Sequence, residues 1–352
     1  MSKRYKVLVG ILTILLVVGA YCLYDVFYGG NQFDGVAEKT FYVSRGQIFA
    51  SIVDSLEANG MIRNRALFIF VAKMFGGTTR IQVGKYVFGT GISNVDLFTA
   101  LREGRHAALI PVMIPEGLRP RAQAHIYARA LGIDSARFVQ FVYDDAFTHS
   151  LGINARSLEG YLLPETYSFY WQQAEEDVIK RMVDEFHRFY ADSLQARANG
   201  LAWTTNQVLT LASIVEGEAV LPAERPIISG VYHNRLRKGM RLEADPTIQF
   251  ILEDGPRRVH YADLKNDHPY NTYRIKGLPP GPVNDPGKAS ILAALFPSKH
   301  EYLFFVANGE GGHWFSKNYA DHVRNVWKYR RIRAKQLQSL TQAAGRKESK
   351  AN

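Results

Sequence analysis

The 352-residue sequence predicts an α+β protein in three parts: an apolar N-terminal helix, a small αβ module and a larger α+β domain. Three observations carry that prediction. Residues 7–24, VLVGILTILLVVGAYCLY, hold no charge, and a helix that crosses a bilayer core needs roughly 17 to 25 apolar residues. Segments such as TRIQVGKYVF (79–88) alternate with the period of two expected of strands. Others, such as Ile179, Met182, Val183, Phe186, Phe189 and Tyr190, recur at three and four and form one helical stripe. With 47% hydrophobic and 22% charged residues the chain has ample material for a core, which excludes collagen-like and disordered classes.

The elements follow in order. Lys3, Arg4 and Lys6 precede the apolar run and Asp25 is the first charge after it. The positive-inside rule then predicts a cytoplasmic stub at 1–6, a transmembrane helix at 7–24 and the remainder outside. A cleaved signal peptide fits less well, because its apolar region is shorter, about 7 to 15 residues, and ends in small residues, not in Tyr21, Leu23 and Tyr24. Residues 25–39, with the Gly-rich YGGNQFDGVAE, read as a linker. At 40–107 a strand at FYV is followed by a helix with Ile48, Phe49, Ile52, Val53 and Leu56 on one face, stopped by Asn59-Gly60. An apolar stretch (66–75), strand character over 79–88, and a helix over 95–101 capped by Ser93 complete this module. It carries no active-site residue types; Arg80, Lys85, Arg102, Arg105 and His106 read as surface cations.

The larger domain, 108–322, opens on the strand-like ALIPVMIP (108–115) and continues into helices around 122–130 and 135–143. The aromatic-rich LEGYLLPETYSFY (158–170) is either core or the wall of a substrate groove. Residues 323–352 form a basic helical tail that carries much of the formal net charge of +10. Such an excess favours an anionic partner. A largely external chain argues against nucleic acid.

Several chemistries are excluded. One cysteine, Cys22, permits no intramolecular disulfide and no Cys-rich metal site. GPVNDPGK (281–288) has one residue too many between its glycines for a phosphate loop, and Ala289 stands where a Mg²⁺-binding hydroxyl is required. No His pair at i, i+4 and no nucleophile elbow occurs, so neither a metal nor a cofactor is expected.

The segment NQVLTLASIVEGEAV (206–220) stands apart. Thr204 or Thr205 caps a helix whose buried face is Val208, Leu211, Ala212 and Val215. At about 100° per residue, Glu216 and Glu218 lie roughly 200° apart, so they cannot be the paired carboxylates of one site. Each is a candidate for a single acid with a raised pKa. Asp245-Pro246 has the form of an N-cap followed by proline. YNTYRIKGLPPGPVNDPG (270–287) joins a polar-aromatic cluster to a restrained loop, the combination of apolar faces and oriented hydrogen bonds that sugars require.

Taken together, LASIVEGEA (211–219), ERPIISGVYHNRLRKGMRLEADPT (224–247), YNTYRIKGLPPGPVNDPG, YLFFVANGEGGHWFS (302–316) and LEGYLLPETY (158–167) closely resemble the endolytic murein transglycosylase, or YceG-like, family. The resemblance implies a single-pass inner-membrane protein with a LysM-like module at 40–107 and a YceG-like catalytic domain at 108–322. It implies a lyase that cuts nascent peptidoglycan between N-acetylmuramic acid and N-acetylglucosamine, leaves 1,6-anhydro ends, and works beside penicillin-binding glycan synthases. It places the catalytic glutamate on Glu216; Asp245, Asn271 and Tyr273 match family motif positions, and with Glu218 they are read as substrate-binding candidates. A hydrolytic muramidase using Asp245 as second acid and a non-catalytic wall-binding scaffold are the competing readings.

Overall fold

A computed structural model describes residues 3–77, 81–252, 255 and 257–351. Thr79 and Arg80, expected in a strand and among the surface cations, lie outside the described residues. The chain divides into two compact units. The first comprises Met1–Val112, Tyr127–Ile133 and Tyr167–Ala174, and the second Met113–Ile126, Asp134–Thr166 and Glu175–Asn352.

The first unit begins with helix α1 (Lys3–Tyr28). Its segment Leu8–Tyr28, of mean hydropathy 2.1 and with none of it buried, is long and apolar enough to cross a membrane. Then come β1 (Gly30–Asn31), β2 (Glu38–Val43), α2 (Phe49–Ala58), α3 (Arg65–Met74), β3 (Gly84–Gly89), β4 (Ile92–Ser93) and α4 (Asn94–Glu103). β2 pairs antiparallel with β3, Phe41 opposite Tyr86 and Val43 opposite Gly84. The period of two turns Phe41, Val43, Tyr86 and Phe88 inward, where they join Ile52, Leu56, Phe68, Leu97, Phe98 and Leu101 from the three helices in one core. Ser93 caps α4 through the Asp96 N–H, as its sequence position predicts. The strand expected over 79–88 is β3, Gly84–Gly89.

Onward the chain forms β5 (Ile110–Met113), α5 (Pro120–Leu131), α6 (Ser135–Val142), α7 (Asp145–Ser150), β6 (Thr166–Phe169), α8 (Glu175–Phe189) and α9 (Ser193–Gly200). Next come α10 (Thr205–Glu218), α11 (Arg225–Arg237), α12 (Asp245–Ile251), α13 (Lys288–Leu295), β7 (Phe304–Ala307), β8 (His313–Ser316) and α14 (Tyr319–Ala351). β5 pairs with β6 and β7 with β8, so the strands are short pairs among helices, an α+β arrangement. In α8, Ile179, Met182, Val183 and Phe186 are buried, the predicted stripe. The aromatic-rich segment resolves as core, because Leu158, Tyr161, Leu162, Leu163, Tyr167 and Phe169 are all buried. The basic helix starts at Tyr319, a turn before the tail drawn from sequence at 323.

Helix α10 is the centre of the second unit. All residues from Val208 to Val215 are buried, and the helix packs against α11, α12 and α13. A helix buried on every side at its middle can offer functional groups only at its ends.

Candidate active site

The N-terminal end of α10 is closed by a reciprocal cap. The Thr204 hydroxyl accepts the Gln207 N–H while the Gln207 carboxamide accepts the Thr204 N–H. Further along, Ser213 ties down the loop before α13. Its hydroxyl accepts the Val283 N–H at 3.0 Å and its carbonyl accepts Asn284 Nδ2 at 2.9 Å. In the same loop the fully buried Asp285 accepts the Gly160 N–H at 2.6 Å and the Leu162 N–H at 3.3 Å on Oδ1, and Gln123 Nε2 at 2.9 Å on Oδ2. Burial, and then the charge of Glu159, push its carboxyl well above the usual range. The close approach requires Gly160: its φ is +91°, and a Cβ there would stand 2.3 Å from Pro282 Cγ.

Glycine between the two glutamates has a comparable use. A Cβ on Gly217 would lie 2.7 Å from Pro246 Cγ, so its absence lets α12 press on the end of α10 and brings Asp245 beside Glu218. Asp245 is not the N-cap that its sequence position suggests. Ala244 takes that place and no side chain caps α12. The Asp245 carboxylate instead accepts the Tyr273 hydroxyl at 2.6 Å.

The two glutamates have different surroundings. Glu216, whose side chain is 7% exposed, is held at both oxygens: Oε1 accepts Arg225 Nη2 at 2.9 Å and Oε2 accepts the Gly287 N–H at 3.0 Å. Arg225 also meets Glu116 at 3.2 Å, and burial together with the charge of Glu216 raises the Glu116 carboxyl. Glu218 has no cation in direct contact among the described residues. Its Oε1 accepts the Tyr232 hydroxyl at 3.1 Å. Burial, reinforced by the charge of Asp245, pushes its carboxyl up to about 7, against the opposing pull of the Tyr232 hydroxyl and the Asp245 N–H.

Glu218 and Asp245 line two cavities. One, of about 420 Å³, also has Tyr232, Arg235, Tyr273, His313 and His322 in its wall. The other, of about 360 Å³, is lined by Arg119, Gln249, Phe250 and Asn284 among others. There the Arg119 guanidinium sits 4.2 Å from the Phe250 ring centre, and Phe250 stacks on Tyr270 at 4.4 Å. Glu216 lines neither cavity. A larger cavity of about 950 Å³ lies by the opposite end of α10, around Trp203 to Asn206. The rise of 14 residues puts it roughly 20 Å from Glu218.

Of the five residues named from sequence, the structure thus brings together Glu218, Asp245 and Tyr273. Asn271 stands behind them: it is fully buried, its Nδ2 donates to the carbonyls of Leu264 and Asn266, and its Oδ1 accepts the Tyr273 N–H. That pattern holds the turn carrying Tyr273. Arg225, Tyr232 and a paired Glu224 and His313 were not predicted. Their strings, ERP, GVY and GGH, were visible, but no local spacing relates positions so far apart. Among the described residues no cluster of three or more His, Cys, Asp or Glu is arranged to hold a metal ion.

Fold and site define a mixed helix and strand protein in which a carboxyl raised by burial, Glu218, lies in a cavity wall at the end of a buried helix. Residues 41–328 match the YceG-like family, and the chain belongs to it. It is 28% identical over 330 residues to the endolytic murein transglycosylase of Bacillus subtilis, covering 90% of this chain and 91% of that protein. It is 29% identical over 321 residues to the endolytic murein transglycosylase of Streptococcus pneumoniae R6, covering 82% of this chain and 57% of that longer protein. The crystal structure of a YceG-like protein from Listeria monocytogenes superposes with a TM-score of 0.59 at 30% identity, covering 82% of this chain and 98% of the other.

Proposed function

We propose that this protein is a membrane-anchored endolytic lytic transglycosylase acting on peptidoglycan, with Glu218 rather than Glu216 as its acid. Family membership and relatives named for that activity support the reaction. The observation that carries the site is the Glu218 carboxyl, pushed up to about 7 in the wall of the cavity. An acid that must hold a proton near neutrality and then release it needs that environment. Glu216 is placed differently: its two oxygens are taken by the Arg225 guanidinium and the Gly287 N–H, and it does not line the cavity.

In this mechanism Glu218 gives its proton to the glycosidic oxygen as the bond to C1 of N-acetylmuramic acid breaks. The C6 hydroxyl of the same sugar then closes on C1 and leaves a 1,6-anhydro end. An internal nucleophile has a high effective molarity, so no activated water is needed. Asp245, held in orientation by the Tyr273 hydroxyl, faces the positive charge that develops on the sugar ring. Asn271 serves by fixing the turn that presents Tyr273.

The apolar Leu8–Tyr28 segment, unburied in the protein, supports a single-pass anchor, and Lys3, Arg4 and Lys6 support a cytoplasmic N-terminus in an inner membrane. The module at 40–107 is read as LysM-like and 108–322 as the catalytic domain, with nascent strands from penicillin-binding glycan synthases as substrate; the resemblance supports these assignments. The proximity of Asp245 to Glu218 favours a hydrolytic muramidase as second reading. Mass spectrometry of digested glycan strands decides between them: anhydro ends support the lyase, reducing ends the hydrolase. Loss of cleavage in Glu218→Gln with retention in Glu216→Gln is the result expected for the acid.

A further inference from the structure

The cavity that holds Glu218 also contains a histidine with a carboxylate of its own. His313 is the first residue of β8, directly after a turn in which Gly309 and Gly311 have positive φ. Glu224, the last residue of a short 3₁₀ turn, gives both of its oxygens to it. Oε1 accepts the His313 backbone N–H at 2.9 Å, and Oε2 lies 2.6 Å from the ring Nδ1. The two side chains are only 10% and 14% exposed. A carboxylate so nearly removed from water needs a donor at each oxygen, so the proton on the neutral imidazole belongs on Nδ1.

The remaining ring nitrogen, Nε2, then carries the lone pair and has no hydrogen-bond partner among the described residues. The ring lies in the cavity wall, held edge-on to Phe305 with centroids 5.3 Å apart and planes at 87°. Gly312 makes the arrangement possible, because a Cβ there would come within 2.8 Å of Glu224 Oε1. An imidazole oriented by a carboxylate, with its other nitrogen unpaired and its ring in a cavity wall, is the arrangement of a general base.

We propose that His313, oriented by Glu224, is a second proton-transfer group of this site and is the base that takes the proton from the attacking C6 hydroxyl. This rests on the transglycosylase reading above. As O6 forms its bond to C1, the O6–H bond breaks and its proton passes to Nε2, giving an imidazolium opposite the Glu224 carboxylate. The departing sugar has already received the Glu218 proton. The enzyme is left with ionised Glu218 and protonated His313, and transfer of one proton between them through cavity water restores the starting state, with no net proton consumed. The charged and titratable groups facing His313 are Glu224 from the 3₁₀ turn, Glu218 from α10, Tyr232 and Arg235 from α11, Asp245 with Glu243 and Tyr273 beside α12, and His322 from α14. Arg235 is itself paired with Glu243 at 3.2 Å.

The test is the pH dependence of glycan cleavage from pH 5 to 9 by the full-length protein in detergent, for wild type, His313→Ala, His313→Gln and Glu224→Gln. Loss of a general base costs about 10² to 10⁴ in rate. His313→Gln is therefore expected to lose about 100-fold or more in kcat with KM little changed, and added imidazole is expected to restore His313→Ala in part. Glu224→Gln, which keeps a hydrogen-bonding side chain but removes the anion, is expected to move the acid limb of the profile to lower pH. A wild-type kcat and profile in His313→Gln overturns the inference, as does a loss confined to KM. An unmoved acid limb in Glu224→Gln overturns it even where the His313 variants fold poorly. Active His313→Gln beside inactive Glu218→Gln sinks this inference alone, whereas reducing ends from the wild type sink the transglycosylase reading.

Discussion

Replacing Glu218 by glutamine keeps the shape of the side chain and removes its titration, so one variant reports on both activity and stability. In the folded protein burial and the charge of Asp245 raise the carboxyl from 4.5 to about 7. Each pH unit of displacement corresponds to about 1.4 kcal/mol, so the full shift amounts to about 3 kcal/mol, or about 2 kcal/mol once cavity water screens part of it. The sign follows from linkage. A carboxyl whose folded pKa is raised leaves stability intact below its unfolded pKa, and the protein loses stability as pH rises through about 7. Glu218→Gln escapes that loss.

The variant should therefore match the wild type near pH 4.5 and exceed it by about 2–3 kcal/mol at pH 9, measured by urea unfolding of the full chain in detergent. Cleavage of glycan strands should fall by about 10³-fold at every pH. A stability difference that is the same at both ends of the pH range, or a variant that cleaves at the wild-type rate, refutes the argument that this carboxyl is held protonated for catalysis.

Glu216→Gln should behave differently: breaking a buried ion pair costs about 3 kcal/mol, seen as a lower urea midpoint, while cleavage per folded molecule stays within about tenfold of wild type. Tyr273→Phe removes the donor to Asp245; a hydrogen bond to a charged group contributes about 1.5–3 kcal/mol to stability, so the stability measured by urea unfolding should fall by up to that amount, and kcat should drop as Asp245 loses its fixed orientation. Asp285→Ala orphans the N–H groups of Gly160 and Leu162 and the Gln123 carboxamide; at about 1–3 kcal/mol per orphaned group, calorimetry should show a loss of several kcal/mol, with Asp285→Asn recovering part of it.

Much of the architecture was legible because local periodicity and capping are local physics. Val208, Leu211, Ala212 and Val215 marked the buried face of α10, and Thr204 its cap. The charge-free run gave the apolar helix, and Ser93 the start of α4. What was not legible depends on contacts between distant parts of the chain. Asp245 before proline has the local form of a cap, but the hydroxyl of Tyr273, brought from 28 residues away, claims its carboxylate. Asn271 has the chemistry of a sugar-binding amide, and in the fold its Nδ2 donates to two carbonyls and its Oδ1 accepts the Tyr273 N–H.

The sequence by itself determined that Glu216 and Glu218 point to different sides of one helix, because helical geometry fixes about 200° between them. It could not decide which side holds an acid. That depends on what packs there: Arg225, Gly287 and Glu116 around one carboxyl, Tyr232, Asp245 and a cavity around the other. Proton affinity is set by desolvation and by charges within a few ångströms, and only the tertiary structure supplies those neighbours from distant parts of the chain.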